Sequence, residues 1–233
     1  MITAVVPAYN EEKTISLCLS SLAGQKGCEI ITVAGGSDRT AAIAKKYGKV
    51  ILDKANRGAG HARNLGARAA KGEVVLFTDA DTTVSRDWIQ SYERVFRDKA
   101  VVAAGGIVKP LGGSLIDRII FFANQDFLYR LTALFGFYQL SGNNCGYRRK
   151  ELLAAGGFDE EMSFLEDTEL PLRMKNRGRV VFDPRITVHT SPRRMHKKGY
   201  ARVWLQFMAA YAAWLVLGRK PRRSYFASAA AKY

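Results

Sequence analysis

The chain is short of cysteine, of acidic residues and of long apolar runs, and each shortage narrows what it can be. Its cysteines are Cys18, Cys28 and Cys145: an odd number, widely spaced, with no C-x-x-C pair. That argues against a zinc knuckle or a disulfide framework and fits a reducing compartment. The opening segment MITAVVPAYN has neither a basic stretch nor a long apolar one, so no secretory signal is expected there. The apolar run Val203 to Leu217 is about 15 residues and contains Gln206, short of the roughly 20 that a spanning helix needs. No segment repeats at a fixed period and none is of low complexity. Acids are outnumbered, 21 Asp and Glu against 36 Lys and Arg, giving a net charge of +15. Such an excess asks for an anionic partner: nucleic acid, an acidic membrane surface or phosphorylated substrates. No nucleic-acid reader motif stands behind the charge, so nucleic acid is not the expected partner.

What is present suits a globular protein. Hydrophobic residues make up 48% of the 233 and charged residues 24%, enough for one α/β domain or a tight two-part domain. The basic residues cluster, at Arg193, Arg194, His196, Lys197 and Lys198 and again at Arg219, Lys220, Arg222 and Arg223.

The first half alternates strand and helix signals. Strands are expected at Ile2 to Val6, Ile30 to Val33, Val50 to Leu52, Val74 to Thr78 and Val101 to Ile107. Helices are expected at Glu11 to Ala23, with Asn10 as N-cap, and at Thr40 to Tyr47, Gly58 to Ala70 and Trp88 to Phe96. This order predicts a mostly parallel sheet covered by helices on both faces, with ligands beyond the carboxyl ends of the strands. Pro7-Ala8-Tyr9-Asn10, Gly35 to Asp38 and Asp79 to Asp81 would converge on that edge. In the second half, Leu115 to Leu140 reads as an amphipathic helical pair and Glu166 to Lys175 as a helix with acids in its first turn. Gly142 to Asp159 is rich in Gly and Asn, and Val180 to Phe182 and Thr187 to His189 are short strand candidates.

Asp79-Ala80-Asp81 carries two carboxylates one residue apart after a buried strand. Both can reach a hard divalent cation such as Mg²⁺ or Mn²⁺, which would neutralise a departing diphosphate. An acidic turn with helix-capping aspartates accounts for the triplet equally well when it is taken alone. Glu166-Asp167 can supply a general base, or can be acids favoured by a helix macrodipole.

The ordered set of motifs is more specific. Val5-Val6-Pro7-Ala8-Tyr9-Asn10-Glu11-Glu12, Gly58 to Gly66 with its Ala62-Arg63-Asn64, Lys71-Gly72-Glu73, Asp79-Ala80-Asp81, Gly156-Gly157-Phe158-Asp159 and Glu166-Asp167 follow one another between about residues 2 and 190. Together they resemble the family 2 glycosyltransferases of the GT-A fold. The resemblance implies an inverting, Mn²⁺- or Mg²⁺-dependent transfer from a nucleotide-diphosphate-sugar donor to a glycan or lipid-linked acceptor. It implies that Pro7, Ala8, Tyr9, Glu11 and Gly35 border the nucleotide pocket, and that Arg63, Asp79 and Ala80 approach the nucleotide. Asp81 would be the main metal ligand, with Asp79 and His189 beside it. Asp167 would be the base, oriented or assisted by Glu166, and Gly157 and Asp159 would belong to the acceptor side. Arg193, Arg194 and Lys197 would close over the diphosphate as a mobile loop. Residues 1–192 would then form the transferase domain, 1–110 its donor half and 111–192 its acceptor half. Residues 193–233 would be a basic loop and an amphipathic helix.

One departure stands out. The family's base-reading aspartates after the second strand are replaced by Ala34 and Gly35, and Asp38 reads as a helix cap. Three further readings stay open. Cys145 has no activating neighbour in sequence and is taken as structural. The apolar, basic-flanked segments suit an anionic membrane surface, peripheral on its cytoplasmic face, or a packing contact. An inactive transferase-fold binding module and a nucleotidyltransferase are the alternative functions; the turn after Val6 lacks the Gly-rich character of the second.

Overall fold

The computed structural model describes residues 1–215 apart from Ser163, together with Gly218 and Pro221. The second basic cluster, Arg219 to Arg223, and the end of the apolar run at Leu217 lie outside the described residues, apart from Pro221 between them. Residues 1–110 contain β1 (Ile2–Tyr9), α1 (Ile15–Ala23), β2 (Cys28–Gly35), α2 (Thr40–Ala44) and β3 (Lys49–Leu52). They continue with α3 (Ala59–Ala69), β4 (Val74–Phe77), β5 (Thr82–Val84), α4 (Trp88–Phe96) and β6 (Val101–Pro110). The rest contains α5 (Leu115–Phe121), a π-helical stretch (Phe122–Leu128), α6 (Tyr129–Leu134), β7 (Cys145–Arg148) and α7 (Arg149–Ala154). The last elements are α8 (Glu166–Met174), β8 (Arg179–Thr190), α9 (Arg193–Lys198) and α10 (Tyr200–Leu215).

The strands form one eight-stranded sheet in the order β3-β2-β1-β4-β7-β6-β8-β5. β1, β2, β3 and β4 pair in parallel, as the strand-helix alternation predicts. β7 enters antiparallel between β4 and β6, β8 runs parallel to β6, and β5 lies antiparallel to β8. One buried layer packs α1 and α4 on the sheet through Ile15, Leu19, Leu22, Trp88 and Tyr92. The opposite layer packs α3, α7 and α8 on it through Ala67, Leu152, Leu170 and Met174. Gly66 explains why α3 tolerates its glycines: a Cβ there would lie 2.2 Å from Val5 Cγ1, so the helix rests directly on β1.

Several local expectations change. Asn10 does not cap α1, which starts at Ile15. It sits at φ 52°, and its Oδ1 accepts the backbone N–H groups of Ser37 (2.9 Å) and Asp38 (3.4 Å), tying the turn after β1 to the turn after β2. Asp38, expected as a helix cap, lies one residue before the N-cap Arg39; its carboxylate accepts the Thr40 N–H at 2.9 Å and the Glu12 N–H at 3.0 Å. The expected helical pair in Leu115 to Leu140 is one unbroken helical run from Leu115 to Leu134, because no Gly or Pro interrupts it before Gly136 (φ 72°). The two short C-terminal strand candidates are a single strand, β8. Arg193–Lys198, expected as a loop, is a short helix between Pro192 and Gly199 (φ 79°).

Candidate active site

The carboxyl ends of β1, β2 and β4 meet as the alternating pattern requires. Tyr9 pairs with Gly35 in the β1–β2 register, and Ala8 with Ala34. Pro7 lies past the last β1–β4 pair, Val5 with Phe77, so its missing N–H breaks no bond to β4. Tyr9 is 46% exposed, and its ring lies 3.0 Å from where a Cβ on Gly35 would be. A side chain at position 35 would crowd the Tyr9 ring, which would have to shift by a few tenths of an ångström to admit it.

After β4 the chain turns through Asp79-Ala80-Asp81 into β5. Ala80 is buried, and the Asp81 carbonyl accepts the Ser191 N–H at 3.1 Å, fixing the turn to the end of β8. The Asp81 carboxylate accepts from Thr190 Oγ1 at 3.4 Å and pairs with Arg193 Nε at 3.1 Å. The same guanidinium binds Glu11 through Nη2. Burial, and next the charge of Asp79, push the Asp81 carboxyl up to about 6, while Arg193 pulls it back. An acid cluster of this kind calls for a cation, and Arg193 supplies one.

Arg63 joins this turn to Glu166 at the start of α8. It is 4% exposed on α3, with Nη2 donating to Asp79 Oδ1 at 3.0 Å and Nη1 to Glu166 Oε1 at 2.8 Å. Burial works against its charge, but Asp79 and Glu166 outweigh that and hold the guanidinium protonated. The Phe158 ring lies beneath it, 5.5 Å from the guanidinium carbon. Gly142 packs over it: a Cβ there would sit 2.6 Å from Nη2. The Gly142 N–H donates to Asp167 Oδ2 at 2.8 Å. Burial of the Asp167 carboxylate, reinforced by Glu166, raises its pKa; Arg63 and the Gly142 N–H oppose the rise without cancelling it. Glu166 is thus committed to an ion pair, and Asp167 keeps a proton affinity suited to a base.

The Gly157–Asp159 turn is held by Asn64, whose Nδ2 donates to the Phe158 carbonyl (2.8 Å) and whose Oδ1 accepts the Phe158 N–H (2.9 Å). Asp159 uses Oδ1 to accept the Glu161 N–H at 3.1 Å.

Two expected groupings do not form. His189 lies one residue from Thr190 on β8 and so faces the other side of the strand. There it lines a cavity with Lys109 and Phe122 instead of joining Asp81, and burial followed by Lys109 lowers its pKa. Within the basic cluster, Arg193 reaches the acids. Arg194 lies over the Phe164 ring, 5.8 Å from its centroid, and Lys197 is exposed on α9. Cys145 is buried with its thiol pushed far up by desolvation, consistent with a structural role.

Sequence reasoning passed over the linking residues. Asn64 and Gly142 act through backbone contacts far away in sequence. The neighbouring Arg63-Asn64 pair on one helix turn was the available signal.

Among the described residues, no three His, Cys, Asp or Glu side chains converge to hold a metal ion. Asp79 and Asp81 alone still fit one. Mg²⁺-type ions are commonly held by one or two carboxylates plus substrate phosphates, and Asp81 already attracts a cation in Arg193.

A curled α/β sheet with an acidic turn at its carboxyl edge and a second acidic site across from it defines a GT-A-type architecture. Solved structures carry the same fold. The mannosyltransferase PcManGT from Pyrobaculum calidifontis, in complex with GDP-Man and Mn²⁺, superposes with a TM-score of 0.68 at 21% identity, over 82% of this chain and 56% of that one. S. aureus TarS 1-349 in complex with UDP-GlcNAc gives 0.64 at 23%, over 82% and 58%. The chain belongs to glycosyl transferase family 2, whose sequence model matches residues 3–152. Glycosyltransferase GlyA of Streptococcus pneumoniae is 32% identical over 113 residues, 45% of this chain and 16% of its own length. Chondroitin synthase of Escherichia coli is 28% identical over 224 residues, 76% of this chain and 32% of its own. The chain thus spans less than half the length of these curated relatives.

Proposed function

We propose that this chain transfers a glycosyl group from a nucleoside-diphosphate sugar to an acceptor hydroxyl or lipid phosphate by direct displacement with inversion. The observation that carries the reading is the Arg63 bridge, which places the Asp79-Asp81 turn and the Glu166-Asp167 pair on either side of one guanidinium. Tyr9 offers an exposed ring for the base to stack on. Asp79 and Asp81 face the diphosphate, and a divalent cation bound there would supply the charge neutralisation that lets the nucleotide leave. Arg193 gives up Asp81 and turns its charge on the diphosphate. Asp167 accepts the proton of the incoming acceptor hydroxyl while the Gly142 N–H holds it in place and the neighbouring Glu166 charge raises its proton affinity. The lack of a carboxylate at Ala34 and Gly35 favours a donor recognised by stacking more than by base-edge hydrogen bonds.

The test is turnover of nucleotide sugars with Mn²⁺ or Mg²⁺. Asp81→Ala should abolish turnover and metal-dependent donor binding, and a fully active Asp81→Ala enzyme would sink the reading. Formation of nucleotide sugar from sugar phosphate, with pyrophosphate released, would instead support a nucleotidyltransferase. A thermal-shift panel of nucleoside diphosphates identifies the base, since a ligand of the native state raises the midpoint by mass action.

A further inference from the structure

The helical run from Leu115 to Leu134 turns apolar side chains outward. Leu115, Ile119, Phe122, Phe127, Leu134 and Phe135 are each 57% to 83% exposed. Leu115, Ile119 and Phe122 follow α-helical spacing, as do Phe127, Leu131 and Leu134. The two sets are joined by the five-residue step from Phe122 to Phe127, which would swing them about 140° apart around an α-helix. That step falls inside the π-helical stretch Phe122–Leu128, where i→i+5 bonding brings residues five apart back toward one side. The π-helical turns therefore align two apolar sets into one continuous stripe.

Beneath the stripe, between the end of β6 and the helical run, lies a cavity of about 380 Å³. Ile107, Val108, Pro110, Phe121 and Phe122 give it apolar walls, Lys109 and Arg118 contribute cationic groups, and His189 adds an imidazole that can hydrogen-bond. The one carboxylate on its lining, Asp126, is paired with Arg130. The other acid of the run, Asp117, is fully buried and accepts from Ser114, His196 and Tyr200. The outward face of the run thus shows hydrocarbon and positive charge, with its two acids neutralised or turned inward. A protein partner of ordinary surface would be met by apolar contact alone. An anionic bilayer matches both components, and the +15 net charge of the chain adds to it.

We propose that the Leu115–Phe135 segment is a docking element for anionic phospholipid bilayers. The stripe enters the interface, one lipid's phosphate is held by Lys109, Arg118 and His189, and its first chain segment lies in the cavity. His189 adjoins Thr190, whose hydroxyl reaches Asp81, so docking sets the transfer site beside the membrane surface.

The test is flotation of the full chain with phosphatidylcholine vesicles, with and without phosphatidylglycerol. No donor is needed, so its outcome is independent of the transfer reading. The chain should float with the anionic vesicles, release as salt rises, and stay behind with pure phosphatidylcholine. Lys109→Glu with Arg118→Glu should weaken binding about tenfold or more. Phe122→Ser with Leu134→Ser and Phe135→Ser should do the same. All five positions are exposed, and unchanged melting would show that the variants fold. Neutralising Arg219, Lys220, Arg222 and Arg223 to Ser should leave most of the binding in place. No flotation, equal flotation with both vesicles, loss caused by the tail changes while both stripe variants bind normally, or inorganic phosphate displacing the vesicles outright would each overturn the proposal. So would self-association through the stripe without vesicle binding.

Discussion

The two acidic sites are built by opposite means. Asp79 and Asp81 stand in a turn, half-buried, with their charge shared by arginines from two other elements, α3 and α9. Glu166 and Asp167 open a helix, one locked in a buried ion pair and the other held by a backbone N–H from a distant loop. In the proposed transfer the first site meets a ligand that brings its own charge, and its exposed partner, Arg193, is replaceable, whereas Arg63 is buried and shared with the second site. The second would keep one carboxylate basic without a ligand's help, and its surroundings are fixed. Exchangeable partners suit binding; fixed partners suit proton transfer.

The largest effect should follow from changing the fixed site. Asp167→Asn keeps an acceptor for the Gly142 N–H but removes the base, and kcat should fall by about 10²- to 10⁴-fold with little change in donor KM. Because the folded carboxyl titrates above its ordinary value, it favours folding below the unfolded pKa, and that contribution is lost as pH rises through the folded pKa. Asp167→Asn should therefore melt at or above the wild type near pH 7.5 while being inactive. A lower melting point there would show that the carboxylate is structural.

Next comes the bridge. Arg63→Ala leaves Glu166 and the half-buried Asp79 without their shared cation and should destabilise by about 3 kcal/mol in denaturant melts, the low end for a buried pair because Asp79 is partly solvated. Arg63→Lys should recover only part of that, since an ammonium cannot span both carboxylates as a guanidinium fork does. Full rescue by lysine would mean that the two sites are not coupled through this side chain.

Gly142→Ala is a milder probe of the same joint. The new methyl meets the guanidinium, and the expected loss is about 1–3 kcal/mol together with reduced kcat. In the wild type, kcat should rise with pH through the raised Asp167 value and level off above it, whereas Asp167→Glu should move that limb. A rate flat across the acid range would remove Asp167 from the proton-transfer step.

The smallest stability effect belongs to the exchangeable site. Arg193 has a side chain 47% exposed, so Arg193→Ala should shift stability by less than about 1 kcal/mol. Its mark should be on donor turnover, and an unchanged rate would show that the contact with Asp81 and Glu11 has no part in the cycle.

The first half was readable because each of its signals is local. Short, nearly continuous apolar runs marked β1, β2 and β4, and the turns after them could be placed on one edge by topology alone. β5 and β7 were missed for a physical reason. Thr82–Val84 and Cys145–Arg148 are too short and too polar or Gly-rich to signal a strand, and they exist because β8, β4 and β6 pair with them. Asn10 resembled a helix cap in its immediate neighbourhood, yet its partners are 27 and 28 residues away. The family resemblance put His189 beside the metal, but strand alternation sends it to the other face. The acid pairs were legible as motifs, while their connection through Arg63 emerged only in three dimensions.

The insertion of β7 between β4 and β6 bears on how the chain reaches this state at all. β6 ends at Pro110, but its sheet neighbours are β7 and β8, so when residues 1–110 have left the ribosome this strand has no partner and both its edges are open. β1 to β4 can zip together at once. β6 has to wait until Cys145–Arg148 and then Arg179–Thr190 have been made, exposing an apolar strand during synthesis. Glu166 and Asp167 emerge in that same interval, so the proposed base is in place only once the sheet is closed.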